Sequence, residues 1–328
     1  MKISLTPRRL SRVLFCLLLS PPAQAEESRL SLMVQNDAFA ASDGGGYTSG
    51  ITLAHLRSVS PGQTSIAPLP VVGALAPWLG VGPAVSTRFS LSQIMVTPRD
   101  LSRKQPDPAD APYVGALWLG AGQVAVRDEV ADIVGLRIGV MGPASGARRS
   151  QTLIHRVIGS ERPEGWDSQG PNRLLLGVER YRGWRWGADG EAGPGADAIV
   201  VAGGTLGNLQ SSAGASIVLR YGTGLKRSYP ASLRQELRSA DPVPLGSGWF
   251  VYAGLHGDRV FSHAGIGENR YADSGTAELR REQSVAVAGV AYGLPRASVS
   301  FSLQSASPLV TSTAKRKVYG SLVLTVPW

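Results

Sequence analysis

Two stretches of the chain hold side chains whose types and spacing could do chemistry. In "SQTLIHRVIGSERPEGWDSQG", residues 150–170, apolar residues recur at helical spacing, and Leu153, Ile154, Val157 and Ile158 form one stripe of a helix. Gln151 and His155, four apart, sit together at the border of that stripe, with Arg148, Arg149 and Arg156 mostly on its polar side. A histidine that is half sheltered and half wet is suited to general-base work near neutral pH. The plainer alternative is a surface helix whose histidine only fills space. Glu161 follows six residues later, and "PEGWDSQ" adds Trp166 and Gln169. The other histidines, His55, His256 and His263, have no comparable neighbourhood.

The second stretch is "VQNDAFAASDGGGYTSGITL", residues 34–53. A strand delivers Asn36 and Asp37 at its end, a loop with Asp43 and three glycines follows, and Tyr47 and Thr48 open the next strand. Antiparallel neighbours would bring Asn36, Asp37 and Thr48 to one rim, as hard oxygen ligands of the kind calcium takes. The acidic residues are too few for an EF-hand, and Asn-Asp before Gly-Gly-Gly is by itself a turn signal. Other schemes lack their motifs: there is no Gly-x-Ser-x-Gly elbow, no HExxH pair and no Gly-rich phosphate loop between a strand and a helix. A serine paired with His155 stays open, because triads need no proximity in sequence, but water ranks above it as the nucleophile.

What must position these residues is a set of strands. "ASVSFSLQS" puts Val299, Phe301 and Leu303 on one face and Ser298, Ser300, Ser302 and Gln304 on the other. About twelve such segments recur, near 29–36, 48–59, 85–96, 112–126, 130–142, 173–187, 196–205, 213–222, 248–258, 281–294, 297–306 and 317–328. Many reach the ~9–11 residues that a tilted strand needs to cross a membrane. One face is rich in Ser, Thr, Gly, Arg and Gln, which suits a wet lumen, while the apolar face would meet lipid. The last segment ends on Trp328, resembling the aromatic end of bacterial outer-membrane barrels, although Pro327 is atypical there. The expectation is an all-β, transmembrane antiparallel β-barrel of about twelve strands, one domain over 26–328. A secreted β-sandwich is the alternative that alternation alone leaves open. Connections near 60–84, 97–111, 143–172 and 223–247 are long and the others short, as when one rim has tight turns and the other carries functional loops.

Lys2, Arg8, Arg9 and Arg12, the apolar run "VLFCLLLS" and then "PPAQA" give residues 1–25 the three-part layout of a secretory signal. The mature chain is expected to begin at Glu26. The apolar run is about half of the ~20 residues that a spanning helix needs. Cys16, the only cysteine, lies inside the signal, which excludes disulfides and thiolate metal sites from the mature chain. Four of the 33 basic residues and none of the 24 acidic ones go with the signal, leaving a net charge of +5. That excess is spread along the chain, so no nucleic acid partner is expected.

Together, "ND-A-F" leading to "D-x-x-x-YTSG", and then "GVMGPASGARRSQTLIHRVIGSERPEGWDSQ", resemble the outer-membrane lipid A 3′-O-deacylase family in content and order. The matches span about residues 34–55 and 138–170. The resemblance implies a twelve-stranded barrel in the outer membrane, with its site near the extracellular rim under a short helix. It implies calcium-dependent removal of the 3′ acyloxyacyl chain of lipid A, the lipid of lipopolysaccharide. His155 would be the general base, Gln151 and Glu161 its companions, Asn36 and Asp37 the residues beside the calcium and oxyanion, and Thr48 a further site residue. The family's loop lysine near the substrate phosphate corresponds to Arg103, with Lys104 adjacent, and Gln35 stands where many relatives have an acidic residue. A monomer inserted by the barrel-assembly machinery is expected. Two other classes remain: a porin or adhesin without catalysis, and an outer-membrane phospholipase acting on glycerophospholipids.

Overall fold

The computed structural model describes residues 26–40, 46–60, 62–188, 193–232, 247–264, 266 and 278–328. The segment read as a signal, residues 1–25, lies outside them, as does Asp43. Twelve strands run β1 (Glu26–Asn36), β2 (Gly46–Val59), β3 (Ser86–Thr97), β4 (Val114–Arg127), β5 (Val130–Met141), β6 (Arg173–Ala188), β7 (Gly195–Gly207), β8 (Gln210–Gly222), β9 (Gly248–His263), β10 (Glu282–Leu294), β11 (Ala297–Ala306) and β12 (Lys317–Pro327). Each pairs antiparallel with its sequence neighbours, and β1 pairs with β12, so the sheet is a closed barrel. Every expected segment coincides with one strand; the largest boundary difference is at β9, which runs five residues past its expected end at 258. Among the described residues three α-helices follow in chain order: α1 (Pro70–Leu75), α2 (Ala147–Ile158) and α3 (Leu225–Ser232).

The wall is inverted relative to a water-soluble protein. On β11, Val299, Phe301 and Leu303 are 39%, 38% and 45% exposed, while Ser298, Ser300, Ser302 and Gln304 are at most 2% exposed. On β12, Leu322 and Leu324 face out and Ser321 and Thr325 are buried. A sandwich would bury the apolar face, so this pattern removes that alternative. It fits hydrocarbon outside, where only closure satisfies every backbone N–H and C=O.

The lumen is filled. Toward the rim where β1, β3 and β5 end, Val96, Val114, Trp118, Met141 and Leu175 meet Ala264, Ile266, Leu309 and Val310 from connections on the far side of the barrel. Toward the rim that holds both ends of the barrel, α3 enters between the walls. Its Leu225 packs with Phe250 and Tyr252, and its Tyr229 with Tyr181 and Ile199. Beneath it Asp197 is shared by Arg185 and Arg220, at 2.6 and 2.5 Å, with all three side chains at most 1% exposed.

The loops are not sorted by length between the rims, as the sequence suggested. The connections near 97–111 and 143–172 leave one rim, which is the site rim described below. Those near 60–84 and 223–247 open on the opposite, terminal rim, because they follow the even strands β2 and β8. Their described parts fold back onto the barrel, α1 against the outside of the wall and α3 into the lumen.

Candidate active site

The Gly-Pro pair after β5 starts the turn that carries His155. Gly142 has φ 100, and a Cβ there would lie 2.7 Å from the Pro171 carbonyl oxygen. Pro143 then opens a 3₁₀ turn, and Gly146, at φ 72, begins α2. The helix seats on β4 at Gly115, where a Cβ would lie 2.4 Å from Ala147 Cβ and 2.5 Å from Ser145 Oγ. Gln93 Nε2 donates to the Ser145 carbonyl at 2.6 Å. Met95, Tyr113, Ala147 and Trp166 close into one buried cluster, with the Tyr113 and Trp166 rings 4.9 Å apart. Burial pushes the Tyr113 phenol above its ordinary range.

Gln93 and Met95 alternate with Ile94 and Val96, which pack in the lumen. The helix therefore lies on the outside of the wall. Its buried residues are Ala147 and Gln151, whereas Leu153 is 59% exposed. The apolar stripe inferred from periodicity does not turn wholly toward the protein, because a helix on the outer wall has hydrocarbon on its other side. The side chains of Val157 and Ile158 lie outside what the structure describes.

Gly159, at φ 69, ends α2 with its N–H on the His155 carbonyl, and the chain doubles back. That reversal brings the Glu161 carbonyl oxygen 2.5 Å from His155 Nδ1. A carbonyl only accepts, so Nδ1 is the donor, and in the neutral form of the ring Nε2 then carries the lone pair. Glu161 thus meets His155 through its backbone, with an exposed side chain, and not through its carboxylate. Gln151 is 2% exposed; its Oε1 accepts the Trp166 indole N–H at 2.7 Å, and its Nε2 is buried without a hydrogen-bond partner.

Asn36 lies at the end of β1, and the register runs from it across the outer face: Asn36 beside Ser49, Ser49 beside Met95, Met95 beside Gly115. Adjacent strands lie about 4.8 Å apart, so Asn36 stands roughly two strand spacings from the Met95 covered by Trp166. Asn36 Oδ1 accepts the Ala38 N–H at 2.8 Å, which turns Nδ2 the other way. Asp37 accepts from Lys317 Nζ at 2.9 Å, with both side chains largely buried. Gln151, His155 and Glu161 are therefore brought together. Asn36 and Asp37 share their rim, but among the described residues no hydrogen bond or ion pair joins the two groups. Thr48 sits where the β2–β3 register slips, between Tyr47 and Ser49; its side chain is outside the described set.

A model of the outer membrane protein LpxR family matches residues 12–328. The chain belongs to that family. The solved structure of LpxR from Salmonella typhimurium superposes with a TM-score of 0.74 at 18% identity, covering 92% of this chain and all of that one. The β domain of the Bordetella autotransporter BrkA follows at a TM-score of 0.45 and 13% identity, over 93% of this chain and 100% of its own. No curated protein sequence matches. As an LpxR-family barrel, the chain resides in the outer membrane, among lipid A-modifying proteins.

In this LpxR-family chain the departure at Gln35 proves to be remote from the outer face. Gln35 alternates with Asn36, points into the lumen, and accepts the Tyr47 hydroxyl at 2.6 Å. Arg103 and Lys104 are exposed on the loop between β3 and β4, which packs against the Trp166 segment: Glu164 N–H donates to the Leu101 carbonyl at 2.9 Å. Arg103 faces Asp107 at 3.9 Å. Ser102 hydrogen bonds hold the Asp100 carboxyl on that loop below its ordinary range.

Sequence reasoning missed Ser49 and Lys317. Ser49 is 3% exposed on the outer face between Asn36 and Met95, and its hydroxyl lacks a partner. Alternation from Leu53 would have shown its face. Lys317 lies 280 residues from Asp37, and no local signal pairs them. Two of the other histidines do have side-chain partners: His55 Nε2 lies 2.6 Å from Ser28 Oγ, and His256 Nε2 lies 2.5 Å from Asp258 Oδ2. The His256–Asp258 pair faces the lumen, away from α2.

Proposed function

We propose that this chain is a lipid A 3′-O-deacylase, hydrolysing the ester that links the 3′ acyloxyacyl chain of lipid A, with His155 as general base activating water. The observation that supports it most is the hold of the Glu161 carbonyl on His155 Nδ1, which leaves Nε2 as the acceptor. Nε2 takes a proton from water as the water oxygen bonds to the ester carbonyl carbon. The same proton then passes to the departing 3′ oxygen, giving a 3′ hydroxyl and a free acyloxyacyl acid. Negative charge gathers on the carbonyl oxygen between these steps. Gln151 and Asn36 each have the amide oxygen tied to an N–H, so each presents its NH₂ end as a donor to that charge.

Asp37 and its chain neighbour Asn36 bring two hard oxygen donors to one strand end, and a cation bound there would have to displace the Lys317 ammonium from Asp37. Calcium would be held there by Asp37 with Asn36, and when bound would supply Lewis-acid polarisation of the ester carbonyl. Arg103 and Lys104, beside the cover of His155, are the cations for a glucosamine phosphate. The acyl chains would stay in lipid against the outer wall, so the substrate need not leave the membrane. The chain would act as a monomer, freed of residues 1–25 and inserted by the barrel-assembly machinery.

A porin is the less favoured class, because the lumen is packed near both rims by the described residues. The test is mass spectrometry of lipid A from cells expressing the wild type or His155→Ala. We expect loss of one acyloxyacyl unit with the first and none with the second, both chains showing the heat-shifted gel mobility of a folded barrel. Unmodified lipid A with accumulating lysophospholipid would instead make the protein a phospholipase.

A further inference from the structure

The terminal rim carries exposed aromatic side chains on its outer face: Trp186 at 56%, Tyr221 at 51%, Trp249 at 38%, Tyr292 at 53% and Trp328 at 51%. Such a ring marks where a barrel meets the headgroup boundary. These five come from β6, β8, β9, β10 and the end of β12. Among the described residues, no exposed large aromatic on that rim comes from β1 to β5.

That sector is where residues 70–79 lie, as α1 and the 3₁₀ turn Ala76–Leu79. Val72, Ala76 and Val81 pack on Ala121, Ala125, Val134 and Leu136 of β4 and β5. Leu119 and Ile138, the next pair along that face, continue it toward lipid, and Ile138 is 52% exposed. The segment is therefore fixed to the outside of the wall. Its far side presents Val71 at 70% and Trp78 at 88% exposure. Arginine surrounds it: Arg57 donates to the Ala67 carbonyl at 2.6 Å and Arg180 to the Leu79 carbonyl at 3.1 Å. Arg180 and Arg182 share the single carboxylate of Asp132, so one guanidinium charge in this group is not balanced within it.

We propose that residues 70–79 are an interfacial anchor that completes the aromatic ring over β2 to β5. Trp78 and Val71 enter the headgroup–acyl boundary of the leaflet opposite the α2 site, and the arginines beside them face lipid phosphate. The occupant is a glycerophospholipid bilayer surface. It is continuous with the lipid-facing belt of the barrel, and its anionic headgroups complement the arginine excess. The anchor would hold the barrel at one depth, and so would set the height of α2 in the other leaflet.

The test uses Trp78→Cys in a Cys16→Ser background, labelled with bimane and reconstituted in phosphatidylethanolamine–phosphatidylglycerol vesicles, with Thr64→Cys labelled as the control. We expect the label at position 78 to be quenched at least about twofold more by a lipid bearing a shallow nitroxide than by aqueous iodide, and position 64 to show the reverse. Quenching at 78 mainly by iodide overturns the proposal, whether the surface meets water or awaits a soluble partner. If the labelled chain fails the heat-shift test of folding, brominated-lipid quenching of the wild type against Trp78→Phe reads the same quantity. An unchanged difference spectrum there overturns the proposal too.

Discussion

Gly115→Ala tests whether the seat of α2 on the barrel wall sets the position of His155. The added Cβ would stand 2.4 Å from Ala147 Cβ, which the backbone fixes at the start of α2, and 2.5 Å from Ser145 Oγ. Carbon atoms settle at about 3.5–4.0 Å, so the helix must retreat from β4 by on the order of 1 Å. Overpacking of this kind costs about 1–3 kcal/mol, which the ladders of a closed barrel can absorb. The site cannot absorb it: a misplacement of that size can cost about 10²-fold in rate, near 2.7 kcal/mol of barrier. The assay is the time course of acyl release from lipid A in mixed micelles, with gel heat-shift as the check on folding. Gly82→Ala is the control, since its Cβ would meet only Ala125 Cβ at 3.9 Å. A folded Gly115→Ala chain that turns over at the wild-type rate would refute the reasoning.

Trp166→Phe keeps the ring against Tyr113 but removes the N–H on Gln151 Oε1. An unpaired buried acceptor costs about 1–3 kcal/mol, and we expect kcat to fall by about tenfold or more with KM little changed, read in the same micelle assay. Lys317→Met removes the ammonium from Asp37; we expect tighter terbium binding by luminescence and activation at lower calcium, whereas full activity of the wild type in EGTA would take the metal out of the reaction. Asp197→Ala leaves Arg185 and Arg220 with one buried carboxylate fewer. A loss of about 3–5 kcal/mol is expected, measured by urea unfolding in detergent, and single-channel conductance appearing with it would show that the α3 plug had loosened.

The barrel was legible because alternation is local: each strand states its own two faces, and twelve of them leave few other solutions. Which rim a loop joins is not local. It depends on the parity of the strand before it, so length alone groups 60–84 and 223–247 with the site loops although they open on the other rim. The rim helix was legible from spacing, but its orientation was not. Periodicity says that Leu153 prefers apolar surroundings without saying whether they are protein or lipid. Asn36 and Asp37 could be placed at a strand end, whereas the Lys317 that holds Asp37 arrives only when β12 closes on β1.

Placing α2 on the outer face narrows where substrate selection can reside. The wall beside the site is apolar, and any acyl chain, from lipid A or a glycerophospholipid, lies against it at similar gain, since burial of CH₂ groups scales with area and not with identity. The row Asn36, Ser49, Met95 and Gly115 offers polar contacts only at its Asn36–Ser49 end, suited to an ester that both lipid classes possess. What differs between them is the headgroup, a phosphorylated disaccharide in one case. The exposed cations near His155 that can sense it are those of the β3–β4 loop and the arginines of α2, Arg148, Arg149 and Arg156. Because the β3–β4 loop is bonded to the Trp166 segment through Leu101 and Glu164, a headgroup bound at Arg103 or Lys104 would act on the shell that orients Gln151. Choice of substrate should therefore appear in kcat as well as in KM when Arg103 and Lys104 are changed together to alanine.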